Sequence, residues 1–277
     1  MKYCLLGIFV VQLLGCSPST PVNSASDGAA STEVAVADAL VQFSLLAALA
    51  ADDYEGVASL QEVLASGDFG VGTFDALDGE MIVLDGQVYQ ALADGSIRVA
   101  DPKVTTPFAV VTYFDEDGRI ENLSAATLDD LDRQLDRKLP RRNSPYALRI
   151  TGDFTDLTLR SVPAQSPPFQ PLVEVVKRQI TWQRRNVRGT LVGVRCPAWM
   201  GTLNVSGYHW HFLSDDRKIG GHVLACEFQN GLLRFDECSA IVIHIPQSAE
   251  FDEFDERSIT EQDIDQVERQ RTRSGTP

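Results

Sequence analysis

The pattern of apolar and polar positions along the chain predicts mostly strands. Segments rich in β-branched and aromatic residues alternate with turn residues, as expected for short strands joined by hairpins. The first of them contains Asp85-Gly86, a pair that favours a two-residue hairpin turn. The predicted strands lie within 67–90, 107–114, 146–154, 157–162, 189–194, 207–213 and 240–245, with a further hairpin around Asn230-Gly231.

Apolar residues recur at helical spacing in a smaller part of the chain. The segments 38–51 and 58–66 predict short helices. A third helix is predicted to begin at a Ser124 cap and to end at Pro140, with one leucine stripe at positions 128, 131, 135 and 139. The charged tail 258–273 is weakly helical. Helices and strands together predict a β-rich α/β protein.

The N-terminus has the pattern of an export signal. Residues 1–15 combine a positive start with an apolar stretch too short to span a bilayer. The sequence Leu-Leu-Gly-Cys ending at Cys16 resembles the bacterial lipoprotein box and predicts lipid attachment there. The alternatives are an ordinary cleaved signal peptide or a misassigned start. Residues 16–36 are rich in Ser, Ala and Pro and predict a disordered tether before a folded domain over 37–277.

The lipoprotein pattern predicts an exported protein attached to a membrane only through its lipid. Ser17 follows the cysteine, a pattern similar to outer-membrane sorting if the host has two membranes. The 277 residues include 44% hydrophobic residues, enough to bury a proper core. The net charge of -15 argues against nucleic acid or a bare anionic membrane as partner.

Three cysteines remain in the predicted domain, at positions 196, 226 and 238. Their number is odd and their spacing does not fit a metal site. One disulfide between two of them is possible, but we expect all three to pack as small apolar groups.

The segment 207–222 gathers three of the four histidines of the chain. In a strand, His209 and His211 point to the same face, and a turn before Gly220-Gly221 would return His222 beside them. Three imidazoles with an open position are a common ligand set for catalytic zinc, although other first-row metals also fit. The alternative is three hydrogen-bonded, inert histidines on a half-buried sheet. His244 has no partner histidine nearby in sequence and is interpreted as structural.

Three charged residues lie within apolar strands. Glu80 opens the strand Met-Ile-Val-Leu, where it is either a solvated edge residue or a carboxylate that reaches a metal site. Arg149 and Arg160 either extend their stems to the surface or bind an anion. The residues alone favour the solvated interpretation in each case. Histidines on strands are also compatible with a cupin-like metal oxygenase, which is a further alternative.

Six ordered blocks together strongly resemble the acetolactate decarboxylase family, over about residues 39 to 250. They are 67–90, 106–114, 146–154, 160–172, 189–194 and 207–223. The resemblance implies two α/β subdomains, roughly 37–140 and 141–277. The first would contain a mixed sheet, and the second a largely antiparallel, barrel-like sheet. It also implies a homodimer.

The resemblance further implies conversion of 2-acetolactate to (R)-acetoin and carbon dioxide. Zinc would act as Lewis acid and electron sink for an enediolate, held by the three histidines at positions 209, 211 and 222. Arg160 and Glu80 match the active-site arginine and first glutamate of the family. Glu268 is the expected second glutamate, with Glu261 as the alternative. A zinc-binding lipoprotein without catalytic activity, on the same fold, is the alternative function.

Overall fold

The computed structural model describes residues 38–201, 203–253, 255 and 259–269. The predicted signal peptide 1–15, the lipid site Cys16 and the tether 16–36 lie outside the described residues, as does the side chain of Glu261. Among the described residues, the helices are all too short or too polar to cross a membrane.

Within the described residues the chain forms fourteen strands and six α-helices, together with three short 3-10 helices. The strands are β1 (Ala39–Phe43), β2 (Ala58–Ser59), β3 (Phe69–Thr73), β4 (Glu80–Leu84), β5 (Gln87–Ala91), β6 (Ile97–Val99), β7 (Thr105–Thr106), β8 (Ala109–Thr112), β9 (Gly118–Ala125), β10 (Tyr146–Ser161), β11 (Ile180–Cys196), β12 (Gly207–Ser214), β13 (Gly220–Glu237) and β14 (Ala240–His244). The helices are α1 (Leu46–Ala51), α2 (Leu60–Leu64), α3 (Leu128–Lys138), α4 (Leu172–Val175), α5 (Ala249–Glu253) and α6 (Glu261–Arg269).

Seven strands form a mixed sheet in the order β14-β1-β8-β3-β4-β5-β6. The β1–β14 pair is parallel, and the other neighbours are antiparallel. The predicted hairpin at Asp85-Gly86 joins β4 to β5, and both residues have the positive φ that such a turn requires. This sheet is the mixed sheet that the resemblance implied.

Five strands form the second sheet, in the order β10-β11-β12-β13-β9. Strand β10 pairs with β13 as well as with β11, so four of the strands close into an antiparallel ring. Helix α3 packs Leu131 and Leu135 against the apolar interior of this ring. The predicted β-rich α/β class with a barrel-like antiparallel sheet is therefore confirmed.

The two sheets exchange strands between the two halves of the chain. Strand β14, from the C-terminal half, pairs with β1 in the mixed sheet, with Ala39 opposite Ala240. Strand β9, from the N-terminal half, pairs with β13 in the antiparallel sheet. The subdomain boundary near residue 140 stays a prediction.

A layer of apolar side chains joins the two sheets. Ile82 and Val110 of the mixed sheet share one buried cluster with Val192 and Leu213 of the antiparallel sheet. Along β12, Tyr208, Trp210 and Phe212 belong to the interior of the ring. Alternation along the strand therefore turns the intervening residues of β12 toward the mixed sheet.

Three local predictions are wrong. Residues 38–51 form a strand and then a helix, because β1 is buried and paired on both sides by β8 and β14. Helix α3 is capped by Thr127, whose hydroxyl accepts the Asp130 N–H, whereas Ser124 belongs to β9. Asn230-Gly231 lies within the continuous strand β13. Asn230 has a positive φ there, and the register of β13 with β9 shifts at this point. A bulge thus replaces the hairpin.

Other predictions of packing hold. The three cysteines in the described residues are free and buried, as expected for small apolar groups: Cys196, Cys226 and Cys238. His244 stacks on Phe43 with 4.6 Å between ring centroids, which agrees with a structural role.

Strand β10 is longer than predicted, because it joins the two segments 146–154 and 157–162 into one strand.

Candidate metal centre and active site

The three histidines of β12 and β13 form a buried cluster between the two sheets. His209 and His211 share one face of β12, as predicted, and His222 lies directly opposite His211 on β13. His209 Nε2 is 3.2 Å from both His211 Nε2 and His222 Nδ1. The three ligand nitrogens all lie within 4.8 Å of one another. Hairpin pairing thus produces the convergence that the spacing suggested.

Two main-chain carbonyls determine which nitrogens face the centre of the cluster. His211 Nδ1 is 2.7 Å from the Met81 carbonyl oxygen, and His222 Nε2 is 2.8 Å from the Glu268 carbonyl oxygen. A carbonyl oxygen only accepts hydrogen bonds, so each of these nitrogens carries the proton. His211 Nε2 and His222 Nδ1 therefore point lone pairs at the centre. This donor set fits a metal ion.

Burial keeps the imidazoles of His211 and His222 uncharged. The loss of hydration lowers the pKa of His211 and of His222 well below the ordinary value, and the neighbouring His209 adds to the effect for both. Neutral imidazole is the form that binds a metal, so the burial of the cluster favours binding without a proton having to leave.

Two carboxyl groups and one guanidinium surround the histidines. Glu80 Oε2 is 3.5 Å from His211 Nε2, and Glu268 Oε2 is 3.3 Å from His209 Nε2. Arg160 lies 3.9 Å from each carboxyl group, through Nε to Glu80 and through Nη2 to Glu268. All three side chains are buried. The interpretation of Glu80 and Arg160 as solvated residues, favoured by the residues alone, is therefore wrong.

The environment of Glu80 favours its protonated form. Burial raises the pKa of this carboxyl to about 7, the nearby Arg160 guanidinium opposes the shift, and the negative charge of Glu268 adds to it. Glu80 therefore exists as a mixture of acid and carboxylate near neutral pH. Such a group can both donate and accept a proton.

A family model described as alpha-acetolactate decarboxylase matches residues 40–256. The chain belongs to the alpha-acetolactate decarboxylase family. It is 41% identical to the protein of that name from Klebsiella aerogenes, over 76% of this chain and 82% of that one. The relative from Methanosarcina mazei is 39% identical over 84% of this chain and 81% of that one. The prediction of a carboxy-lyase family is thus confirmed.

Solved structures show the same fold. The alpha-acetolactate decarboxylase from Bacillus subtilis strain 168 superposes with a TM-score of 0.80 at 34% identity, covering 83% of this chain and 99% of that one. A protein from Staphylococcus aureus, described as similar to alpha-acetolactate decarboxylase, gives a TM-score of 0.79 at 30% identity, with 83% of this chain and 100% of that one covered.

In this member of the alpha-acetolactate decarboxylase family, four of the predicted site residues line one cavity: Glu80, Arg160, His209 and Glu268. His211 and His222 contact His209 from beside this cavity. Glu268 is notable, because it lies beyond the range that the family model matches. Its helix brings it to the histidines, so the choice of Glu268 as the second glutamate agrees with the geometry. The walls of the cavity are mainly apolar side chains, from Leu46, Leu49, Leu77, Phe108, Val162, Leu172 and Val176.

Sequence reasoning missed three groups that orient the site residues. Gln179 accepts a hydrogen bond from Arg160 Nη1 at 3.3 Å through Oε1. The carbonyl groups of Met81 and Glu268 accept from the histidines. Main-chain carbonyls carry no residue-type signal. Gln179 lies at the end of the short helical segment 172–178, outside any motif found in the sequence, so sequence spacing does not point to these groups.

Proposed function

We propose that this chain converts 2-acetolactate to (R)-acetoin and carbon dioxide. The observation that carries the proposal is that buried Arg160 and two buried carboxyl groups lie beside the cluster of three buried histidines. A site that only held a metal would need the imidazoles, but neither a buried guanidinium nor two buried acids. The names of the family relatives support the same reaction.

We propose zinc as the metal, held by His209, His211 and His222. Three neutral imidazoles with an open position are a common catalytic zinc site. Bound there, the metal would supply a Lewis acid and an electron sink for the electron density that remains when carbon dioxide leaves.

Arg160 is proposed to bind the carboxylate of the substrate. Its side chain is 4% exposed, and among the described residues its Nε has no hydrogen-bond partner. The two glutamates are 3.9 Å away, beyond hydrogen-bonding distance. The guanidinium therefore has a donor available for an incoming carboxylate, which it would hold with a charge-assisted hydrogen bond.

Glu80 and Glu268 are proposed to handle the proton that replaces carbon dioxide. Loss of carbon dioxide leaves an enediolate, which needs one proton on carbon to become acetoin. Both carboxyl groups lie beside the histidine cluster. The raised pKa of Glu80 leaves it partly protonated near neutral pH. The apolar walls would exclude water, so the proton would reach one face of the planar intermediate and fix the hand of the product.

The test is acetoin formation by the purified, zinc-loaded protein from racemic 2-acetolactate. The product is separated on a chiral column, and bound metal is measured on the same sample. We expect (R)-acetoin and about one zinc ion per chain, as three converging imidazoles imply. A Lys103→Ala variant, changed at an exposed residue outside the cavity, should behave like the unchanged chain. Zinc binding without acetoin would instead support the metal-binding lipoprotein.

We also propose that the chain is exported, anchored by lipid on Cys16, and forms a homodimer. The lipoprotein-type sequence before the domain supports the first part, and the resemblance to the family supports the dimer. Mass spectrometry of the mature N-terminus should show acylated Cys16, and Cys16→Ser should leave the protein unacylated. Light scattering on the detergent-solubilised protein measures the mass of the assembly, and a monomer mass would contradict the dimer.

A further inference from the structure

Helix α6 contacts the histidine cluster with its main chain as well as with a side chain. The Glu268 carbonyl oxygen accepts the His222 Nε2 proton at 2.8 Å. The carboxyl group of the same residue lies 3.3 Å from His209 Nε2 and 3.8 Å from His222 Nδ1. One residue near the end of the chain therefore affects the cluster in two separate ways.

The main-chain contact orients a ligand rather than supplying one. Hydrogen bonding to the Glu268 carbonyl keeps the proton on His222 Nε2, which leaves the lone pair of Nδ1 directed at the other histidines. Residue 268 lies in the last turn of α6, where carbonyl groups have no partner within the helix. The negative end of the helix dipole also lies there, which favours a cation nearby.

The Glu268 carbonyl is held in place less firmly than the Met81 carbonyl, which accepts from His211. Met81 belongs to β4, a strand paired on both sides by β3 and β5. Helix α6 has nine residues and is attached through Ile264 and Val267, which join the apolar cluster of α1 and α4. Its start is fixed by Thr260 and Asp263, which exchange hydrogen bonds. The His222 contact therefore depends on the docking of one short terminal helix.

We propose that docking of α6 is part of metal binding, because the Glu268 carbonyl holds His222 in the orientation and tautomer that bind the metal. The inference rests on the metal of the proposed function, but it does not require the chain to convert any substrate. When α6 is undocked, His222 loses its contact with the Glu268 carbonyl, and the chain binds the metal more weakly. This loss does not require the carboxyl group of Glu268 to take part in binding. By linkage, bound metal stabilises the docked helix by the same free energy.

The test compares three full-length variants with the unchanged chain. Ile264→Asp places a charge in the buried face of α6, and Gln266→Asp adds the same charge on its exposed face as the matched control. Glu268→Gln removes the carboxylate and keeps the carbonyl. Zinc affinity is measured by competition with a chromophoric chelator, which reports metal binding without any substrate.

We expect Ile264→Asp to bind zinc about 10- to 100-fold more weakly, the usual effect of losing a partner that orients a metal ligand. Gln266→Asp and Glu268→Gln should stay within about threefold of the unchanged chain on the same reasoning. Unaltered affinity in Ile264→Asp overturns the proposal. A loss in Glu268→Gln as large as that in Ile264→Asp also overturns it, because the carboxylate would then be the group that matters.

A second measurement needs no substitution and so does not depend on how a variant folds. Trypsin should release the C-terminal peptide that carries α6 more slowly from the zinc-loaded chain than from the metal-free chain. Equal rates of release would refute the coupling. Both measurements are independent of acetoin formation, so an inactive protein that still shows the coupling would refute only the proposed function.

Discussion

Gly193 provides a direct test of how closely the antiparallel ring is packed around β12. It lies on β11 opposite Trp210, the residue between His209 and His211 on β12. A Cβ atom at position 193 would lie 2.1 Å from Trp210 Cε3 and 2.3 Å from Cζ3. Ordinary contact begins at 3.4 Å, so the substitution Gly193→Ala must displace a buried indole ring.

The expected loss of stability follows from three contributions. Overpacking a buried side chain costs about 1–3 kcal/mol. The displaced indole also loses its hydrogen bond to Asp132 Oδ1, now 3.3 Å long, at about 1 kcal/mol. Replacing glycine by alanine also restricts the unfolded chain, and this offsets about 0.4–1 kcal/mol of the destabilisation. Gly193→Ala should therefore lower the free energy of unfolding by about 2 kcal/mol.

The matched control is Gly152→Ala on β10, in the same sheet. There the nearest atom to a new Cβ is Gly231 Cα at 3.3 Å, so small adjustments suffice. Denaturant unfolding of the metal-free proteins, followed by circular dichroism, measures both variants. We expect Gly152→Ala to be neutral or slightly stabilising. A cost below about 0.5 kcal/mol for Gly193→Ala, or an equal cost in both variants, would refute the reasoning.

Other predictions concern charge and chemistry. Burial raises the pKa of Asp236 to about 7, so the folded state binds this proton more tightly than the unfolded chain, and stability falls as pH rises from about 4 to 7. In urea unfolding, Asp236→Asn should be more stable than the unchanged chain by on the order of 2 kcal/mol at pH 8 and by less at pH 5; an equal difference at both pH values would contradict this. His209→Ala should abolish metal binding and acetoin formation, whereas Glu80→Gln should keep most of the metal and lower turnover about 100-fold; equal metal loss would make Glu80 a ligand. Burial raises the pKa of Cys196 to about 12, so a thiol reagent should label it only after unfolding, and rapid labelling of the native protein would be the contrary result.

The histidines could be found from the sequence because their positions follow from short-range geometry. Alternation along β12 places His209 and His211 on one face, and the turn after β12 returns His222 opposite His211. Glu80 and Arg160 behave differently. Their burial depends on the contact between two sheets, which local pattern does not encode. Only the resemblance to the family assigned them to the site.

The local errors have a common cause, since tertiary pairing decided each segment. An apolar run such as Leu40-Val-Gln-Phe43 fits a helix or a doubly paired strand equally well, and the presence of β8 and β14 selects the strand. Asn230-Gly231 has the residues of a tight turn, but the curvature of the ring uses them as a bulge inside β13. In both cases the deciding contacts are distant in sequence.

The parallel pairing of β1 with β14 has a consequence for the synthesis of the chain. Ala39 and Ala240 lie opposite each other, so one edge of β1 has no partner strand until almost the whole domain has been synthesised. At about 5–20 residues per second, that interval lasts about 10–40 seconds. During that time the N-terminal segment cannot complete its native hydrogen bonds. The mixed sheet is therefore completed only after β14 has been translated, and until then one edge of β1 is exposed and accessible to chaperones.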